Sequence, residues 1–515
     1  MNYLSITDFN NKGAEEYSGA YMVESVKKEC DLSEDYILPD YLPDAKKVLK
    51  FITNPIIEAR FISSSGLDFS GSVYCRALYL GEDSSLRCAS FFIPFEERIP
   101  SEALTEDCVD FLHPTVSSAV CRLQNPRKLS ARLKLCVTLE AWQRSSTLPE
   151  LYGPSGSENA LQTLVNSVPS MNILCLREDD LSFSEDISLD KTMPDIESII
   201  LAQASVFFDD CHASKDQIIC RGSLCFECIY RSPQGDNQFL RRFIPITEAL
   251  GCVGADGECN VFAKCLCKVP DVSISEDEFG AKRIIELDLS YGVEISCTKE
   301  KSVLYAADAY SVRHTAQNTF SDLSFYSPAE KISSSFSVSE VVPAKDHSLS
   351  KEDSILACYL SLSSSAGKHG KLLFEGECKV SFIITKPDGN IKDLPLPLPL
   401  RFESDRPFDP LASYKSSVCC KVSSPRVRFD SEQLFFDFEV FISCDILSRC
   451  DLHAISCIRL FPESAPLQRS CEITLYYPSP TESIWDVAKK YNVTRKELAS
   501  ANAITSSDLP RVIKI

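Results

Sequence analysis

The sequence is short of positive charge, of histidine and of every compact catalytic signature. It carries 53 basic against 73 acidic residues, a net charge of −20. So acidic a chain is a poor partner for polyanions, because nucleic-acid affinity comes largely from Lys and Arg neutralising phosphates. Nucleic acid is therefore excluded as a principal partner. There is no G-x-x-x-x-G-K-[ST] phosphate loop, no H-E-x-x-H and no G-x-S-x-G elbow, and each of those chemistries needs its groups at such spacing. The histidines, His113, His212, His314, His347, His369 and His453, share no motif. The expectation is a protein that binds rather than catalyses, with no catalytic residue, cofactor or metal.

Long apolar runs are missing too. Nothing approaches the roughly 18 consecutive apolar residues of a membrane-spanning helix, and residues 1–30 lack the basic start and apolar core of a secretory signal. The chain is expected to stay in the compartment where it is made. Its 24 cysteines are then read as small apolar core residues in a reducing cytosol, not as a disulfide framework. Among the closest pairs, Cys225 with Cys228, Cys265 with Cys267, and Cys419 with Cys420, only the first has zinc-knuckle spacing, and a second C-x-x-C is absent. On one strand that spacing sets the two thiols on opposite faces.

What is present is an internal repeat. A length of 515 residues predicts three or four domains of ordinary size. Three segments align: Gly71 to Tyr79 (GSVYCRALY), Gly222 to Tyr230 (GSLCFECIY) and Gly376 to Ile384 (GECKVSFII), each a glycine that starts a β-favouring run. A step of 23 residues from each glycine reaches Pro94, Pro245 and Pro399 inside apolar clusters. A step of 28 residues back from the first two reaches Pro43 in Leu42-Pro43-Asp44 and Pro194 in Met193-Pro194-Asp195, whereas the third copy has Ser348 there. Each copy continues through Cys121-Arg122-Leu123, Cys267-Lys268-Val269 or Cys420-Lys421-Val422 into an alternating apolar and polar run, the signature of a half-buried strand. Turn residues at Gly81–Asp83, Ser232–Asp236 and Lys386–Asn390 predict hairpins between the glycine strand and the proline strand.

After residue 470 the period becomes helical. Ile484, Val487, Ala488 and Tyr491 share one face behind Thr481 as N-cap, and Thr494 with Glu497 forms a capping box for a second helix. With strand-like Ile473–Tyr477 before and Arg511–Ile515 after, the order is βααβ. The domain plan is an N-terminal segment 1–29, repeats at 30–145, 180–300 and 351–465, linkers at 146–179 and 301–350, and a C-terminal module at 470–515. The fold class is mainly β, with three tandem sandwich-like repeats.

The run Ser483-Ile484-Trp485-Asp486-Val487-Ala488-Lys489-Lys490-Tyr491-Asn492-Val493, followed by Glu497-Leu498 and Asn502, resembles a LysM domain, although Thr481-Glu482 replaces the Gly-Asp that precedes it in that family. There the loop lines a groove for N-acetylglucosamine chains, so the departure counts against glycan binding. Repeats with a Leu-Pro-Asp or Met-Pro-Asp opening, a glycine-led strand ending in Tyr and an Ile-Pro strand resemble the SPOCS domain of clostridial sporulation proteins. Joined to a C-terminal LysM, they resemble the SipL-type family of spore coat morphogenetic proteins. That resemblance implies a scaffold in the mother-cell cytoplasm and then on the forespore surface and spore coat. The implied partners are the stage IV sporulation coat ATPase (SpoIVA-like), met through the LysM region, and other coat proteins. The residues expected at that contact are Ile484, Trp485, Lys489, Lys490 and Arg495, an aromatic with basic groups suited to an acidic surface. The alternative is a peptidoglycan-binding protein that takes N-acetylglucosamine oligomers.

Overall fold

Apolar and polar alternation makes most of the chain β-strand. The computed structural model describes residues 5–8, 19–63, 65–145, 161–350, 352–368, 371–387, 391–407, 414–422, 425–430, 432–461, 473–504 and 509–515. After β1 (Ser5–Asp8), a first unit holds β2 (Gly19–Ile37), β3 (Ala45–Ser63), β4 (Gly66–Gly81), β5 (Leu86–Pro100), β6 (Cys108–Asn125) and β7 (Lys128–Ser145). The second holds β8 (Leu161–Ser188), β9 (Ser198–Ser214), β10 (Gln217–Arg231), β11 (Asn237–Gly251), β12 (Asn260–Cys267), β13 (Asp271–Glu276) and β14 (Lys282–Ser311). The third holds β15 (Thr315–Pro343), β16 (Ser354–Lys368), β17 (Lys371–Thr385), β18 (Ile391–Pro407), β19 (Tyr414–Val422), β20 (Arg426–Phe429) and β21 (Gln433–Phe461). Then come β22 (Leu475–Tyr476), α1 (Ile484–Lys490), α2 (Arg495–Ala501) and β23 (Ile513–Lys514). Neither helix is long and apolar enough to cross a membrane.

Each unit pairs a three-stranded antiparallel meander (β3-β4-β5, β9-β10-β11, β16-β17-β18) with a second sheet in which the first and last strands of the unit lie together (β2-β7-β6, β8-β14 with β12 and β13, β15-β21 with β19 and β20). The Gly-to-Pro step is the register of the meander. Ser72 faces Pro94, Ser223 faces Pro245 and Glu377 faces Pro399, so in every unit the residue after the glycine opposes the proline. The glycines lie inside their strands, not at the strand starts. A Cβ on Gly71 would stand 2.1 Å from the Ile56 carbonyl oxygen, and one on Gly222 would stand 2.0 Å from that of Phe207. Both sit beside a register shift, where a bulge brings the neighbouring backbone in.

The Pro-Asp openings have partners. The buried Tyr79 hydroxyl donates to the Pro43 carbonyl at 3.2 Å, and Tyr230 to that of Pro194 at 3.0 Å. Arg127 and Arg283 then hold Asp44 at 3.1 Å and Asp195 at 2.6 Å. In the third unit Ile384, which has no hydroxyl, replaces the tyrosine, and a 3-10 turn at Ala344–His347 replaces the Pro-Asp opening. Lys392 Nζ donates to its His347 carbonyl at 2.7 Å.

The linker expectation needs correction. Residues 161–179 belong to β8, which pairs with β14 along its length, and residues 315–343 form β15, paired with β21. The Ser-rich stretch alternates serine with apolar residues such as Phe336 and Val338, which pack on the third core, and the alternation outweighs the composition. Residues 146–160 lie outside the described residues, as do Asp388, Gly389 and Asn390 of the third predicted turn. The turn at Ser232–Asp236 forms as expected, with Gly235 at φ 91° donating to the Ser232 carbonyl at 2.9 Å.

The meanders meet edge to edge in a cycle, β5 beside β9, β11 beside β16 and β18 beside β3. They enclose a shared core of Leu49, Leu78, Leu201, Ile229, Ala357 and Ile383. Arg76 donates to the Ala202 carbonyl, Arg241 to the Cys358 carbonyl, and the half-buried Lys50 lies in the field of Asp393. The outer halves of β8, β14, β15 and β21 pack as two ribbons through Leu161, Ala306, Ala309, Ala454, Ile455 and Ile458.

Candidate partner-binding site

The C-terminal module is built by its caps. Ser483, not Thr481, is the N-cap of α1: its hydroxyl accepts from the Asp486 N–H at 3.3 Å and its own N–H donates to Asp486 Oδ2 at 2.8 Å. A Ser three residues before an Asp satisfies two orphan amide groups reciprocally, which Thr481 is too far upstream to do. Thr494 and Glu497 form the expected capping box of α2, with Glu497 N–H donating to Thr494 Oγ1 at 3.1 Å. Between the helices and the β22-β23 pair lies a small core of Trp485, Val487, Ala488, Leu498 and Ile513, with Ile484 and Tyr491 packed against it.

That core is shared with β14. Trp485 is 5% exposed, and its indole N–H donates to Asp308 Oδ2 at 2.8 Å. Lys489 Nζ reaches both Asp308 oxygens, at 2.6 and 2.8 Å. Tyr310 stacks edge-on against Trp485 at 4.9 Å between centroids and donates to the Val493 carbonyl at 2.7 Å. Burial pushes the Tyr310 phenol up to about 12, so it stays a donor. Trp485 and Lys489 thus hold the module on its own chain. Sequence reasoning missed Asp308 and Tyr310, because they lie in an alternating strand 177 or more residues from their partners and carry no local signature.

The other three expected contact residues differ in exposure. Arg495 is exposed, Lys490 is exposed and Ile484 is half-buried. Lys490 Nζ donates to the Tyr476 hydroxyl at 3.0 Å and lies 4.6 Å over its ring. That hydroxyl in turn donates to Glu482 at 2.8 Å. Glu482 also accepts from the Ser479 N–H at 2.8 Å, and this bond first, then Tyr476, holds its carboxyl below the usual range. On the same module Ile473, Leu475 and Tyr477 alternate outward from β22 and are 55%, 60% and 69% exposed.

A concavity of about 840 Å³ lies between the first two units, lined by Arg60, Arg76, Glu178, Glu227, Arg241 and Cys225 among others. Cys225 faces this cleft while Cys228 is buried in the core of the second unit, so the C-x-x-C pair is split across the two faces of β10. Among the described residues no group of three or more His, Cys, Asp or Glu is placed to hold a metal ion. The side chains of Cys419 and Cys420 lie outside those described.

No curated protein and no solved structure matches the chain. Residues 195–275 match the family model described as SipL, SPOCS domain. The match runs from the Asp of the Met-Pro-Asp opening through the β9-β10-β11 meander into β13, and this part of the chain is similar to a sporulation-associated domain that points to a coat-related role.

Proposed function

We propose that the chain is a non-catalytic scaffold of spore coat assembly, made of three SPOCS-type units and a LysM-like module that docks on the stage IV sporulation coat ATPase at the forespore surface. The observation that carries this reading is the match over 195–275, in a unit whose strand order and Gly-to-Pro register recur in the units before and after it. The βααβ order and the LysM-like run from Ser483 support the assignment of the C-terminal module.

Within that reading the five expected contact residues divide. Trp485 and Lys489 seat the module on Asp308 and Ile484 packs against the module's core; Lys490 and Arg495 are exposed and offer positive charge to a partner, and the same module exposes the apolar Ile473, Leu475 and Tyr477. An apolar centre rimmed by charge is the ordinary composition of a protein interface. The peptidoglycan reading has less support, because the carboxylate of Glu482, in the loop that would line a sugar groove, is already held by Ser479 and Tyr476. The full chain with Lys490→Glu and Arg495→Glu should bind the ATPase about tenfold or more weakly than the parent, with an altered salt dependence. Unchanged binding would remove these residues from the contact.

A further inference from the structure

The concavity between the first two units has a free strand edge along one side. In the sheet β3-β4-β5, β3 lies at the border, and among the described residues it pairs only with β4. Residues 52–60 of β3 all line the concavity. Pro55, opposite Val73, has no N–H to give β4, so its backbone faces away from that strand. The Ile56 carbonyl oxygen points the other way, to within 2.1 Å of where a Cβ on Gly71 would stand. The ladder with β4 runs from Lys50 to Ile57 without a register shift, and an extended chain turns its backbone groups alternately to either side. Thr53, Pro55 and Ile57 therefore turn theirs into the concavity, N–H groups at 53 and 57 and carbonyls at all three, about 6.6 Å apart. The corresponding edge of the second unit is covered: on β9 the Ala202 carbonyl accepts from Arg76, and the N–H of Val206, which stands where the first unit has Pro55, donates to Cys267 Sγ at 3.1 Å. Among the described residues no hydrogen bond reaches the outward groups of Thr53, Pro55 or Ile57.

We propose that this edge is a strand-addition site, at which an extended, uncharged segment of a partner protein lies in the concavity and pairs with β3 at Thr53, Pro55 and Ile57. A row of alternating donors and acceptors is matched by the backbone of another extended chain, which supplies affinity, while pockets for its alternate side chains supply selectivity. The pockets come from the face of the β9-β10-β11 meander turned away from its own core, where Phe207, Cys225 and the 43% exposed Phe243 line the same concavity. The charges there are already paired, Arg60 with Glu178 at 3.0 Å, Lys268 with Asp180 at 3.0 Å and Arg241 with Glu227. On a molecule of net charge −20 the concavity is thus an electrically balanced window that suits apolar and neutral side chains. A second copy of the chain does not fit the role, because this edge is recessed in the concavity and the equivalent edge of the second unit is covered. The site lies outside the C-terminal module and stands whether or not that module meets the ATPase.

The test uses the full chain as bait for a phage-displayed library of random nine-residue peptides, with the selected peptides then synthesised and titrated in solution. The expected binders are uncharged and rich in β-branched residues. N-methylation of one alternate set of their amides should weaken binding about tenfold or more, while N-methylation of the intervening set should not, and the bound peptide should slow amide exchange within residues 52–60. Thr53→Pro removes an outward N–H without touching the ladder with β4, and Phe243→Glu places a charge beneath the peptide; each should weaken binding about tenfold. Failure to select any peptide, binding indifferent to which amides are methylated, or protection elsewhere than 52–60 overturns the proposal. So does a chain that is dimeric with exchange at 52–60 already slow, since a second copy would then hold the edge. The methylation and exchange patterns are read on the parent protein and decide the matter even if a variant fails to fold.

Discussion

Gly222 stands where no side chain fits, and the consequence is measurable. Gly222→Ala would force a Cβ to within 2.0 Å of the Phe207 oxygen, and should destabilise the second unit by about 3 kcal/mol or more in denaturant unfolding. Gly251→Ala, with nothing within 4 Å of the added carbon, is the control and should stay within about 0.5 kcal/mol of the parent. The glycine was legible in the sequence because its spacing to the proline repeats; the oxygen that demands it was not, because β9 approaches through a bulge. Asp308 is the opposite case. Nothing around it in the chain marks it, yet Asp308→Ala would leave the buried Trp485 N–H and the Lys489 ammonium without their acceptor, at a cost of about 2–3 kcal/mol. Faster amide exchange confined to 473–515 would report the loss, and unchanged exchange there would contradict the seating role.

Among the elements, the strands that join the first two units carry a titratable contact. His113 on β6 lies 3.2 Å from Glu294 on β14 and 3.9 Å from Glu140 on β7, and Lys264 on β12 stands 2.8 Å from its Nδ1. In the neutral ring Nδ1 accepts from Lys264; in the protonated ring it donates to Glu294. Burial pulls the His113 pKa down and Lys264 opposes its charge, but Glu140 and Glu294 outweigh both, leaving it above 6.5. A raised folded value means that this site's stabilisation is fully present below the unfolded value and is lost as pH rises through the folded one. Unfolding midpoints followed between about pH 6 and 9 should fall through this step in the parent and lose that component in His113→Gln; an identical profile in the variant would contradict it. The tyrosine at the end of the glycine strand gives a second element-scale prediction: Tyr230→Phe removes the bond to the Pro194 carbonyl and should cost about 1 kcal/mol in denaturant unfolding. Strands and hairpin registers were readable because period and spacing are local. The supposed linkers at 146–179 and 301–350 were misread over 161–179 and 315–343 because composition was weighed over alternation, which the pairing of β8 with β14 and of β15 with β21 satisfies.

For the whole molecule, the cycle of meanders explains why the units stay together. Arg76 and Arg241 each cap a carbonyl on the next unit, and Leu49, Leu201 and Ala357 bury one another. None of this was legible, since the partners lie 117 or more residues apart and an apolar residue facing a neighbouring unit looks like one facing its own core. The expected contact face of the C-terminal module was half legible. Its caps and helical period are written locally, but which of its polar residues are taken up inside the chain depends on where β14 ends. The central claim is that this module, seated on the ribbon, is the surface that meets the coat ATPase. The most direct measurement is calorimetric titration of the ATPase, and in parallel of N-acetylglucosamine oligomers, into the full chain and into a chain ending at residue 472. ATPase binding by the full chain that disappears in the shortened one, with no heat from the sugar, is the predicted result; sugar binding without ATPase binding, or ATPase binding that survives the truncation, would contradict the account.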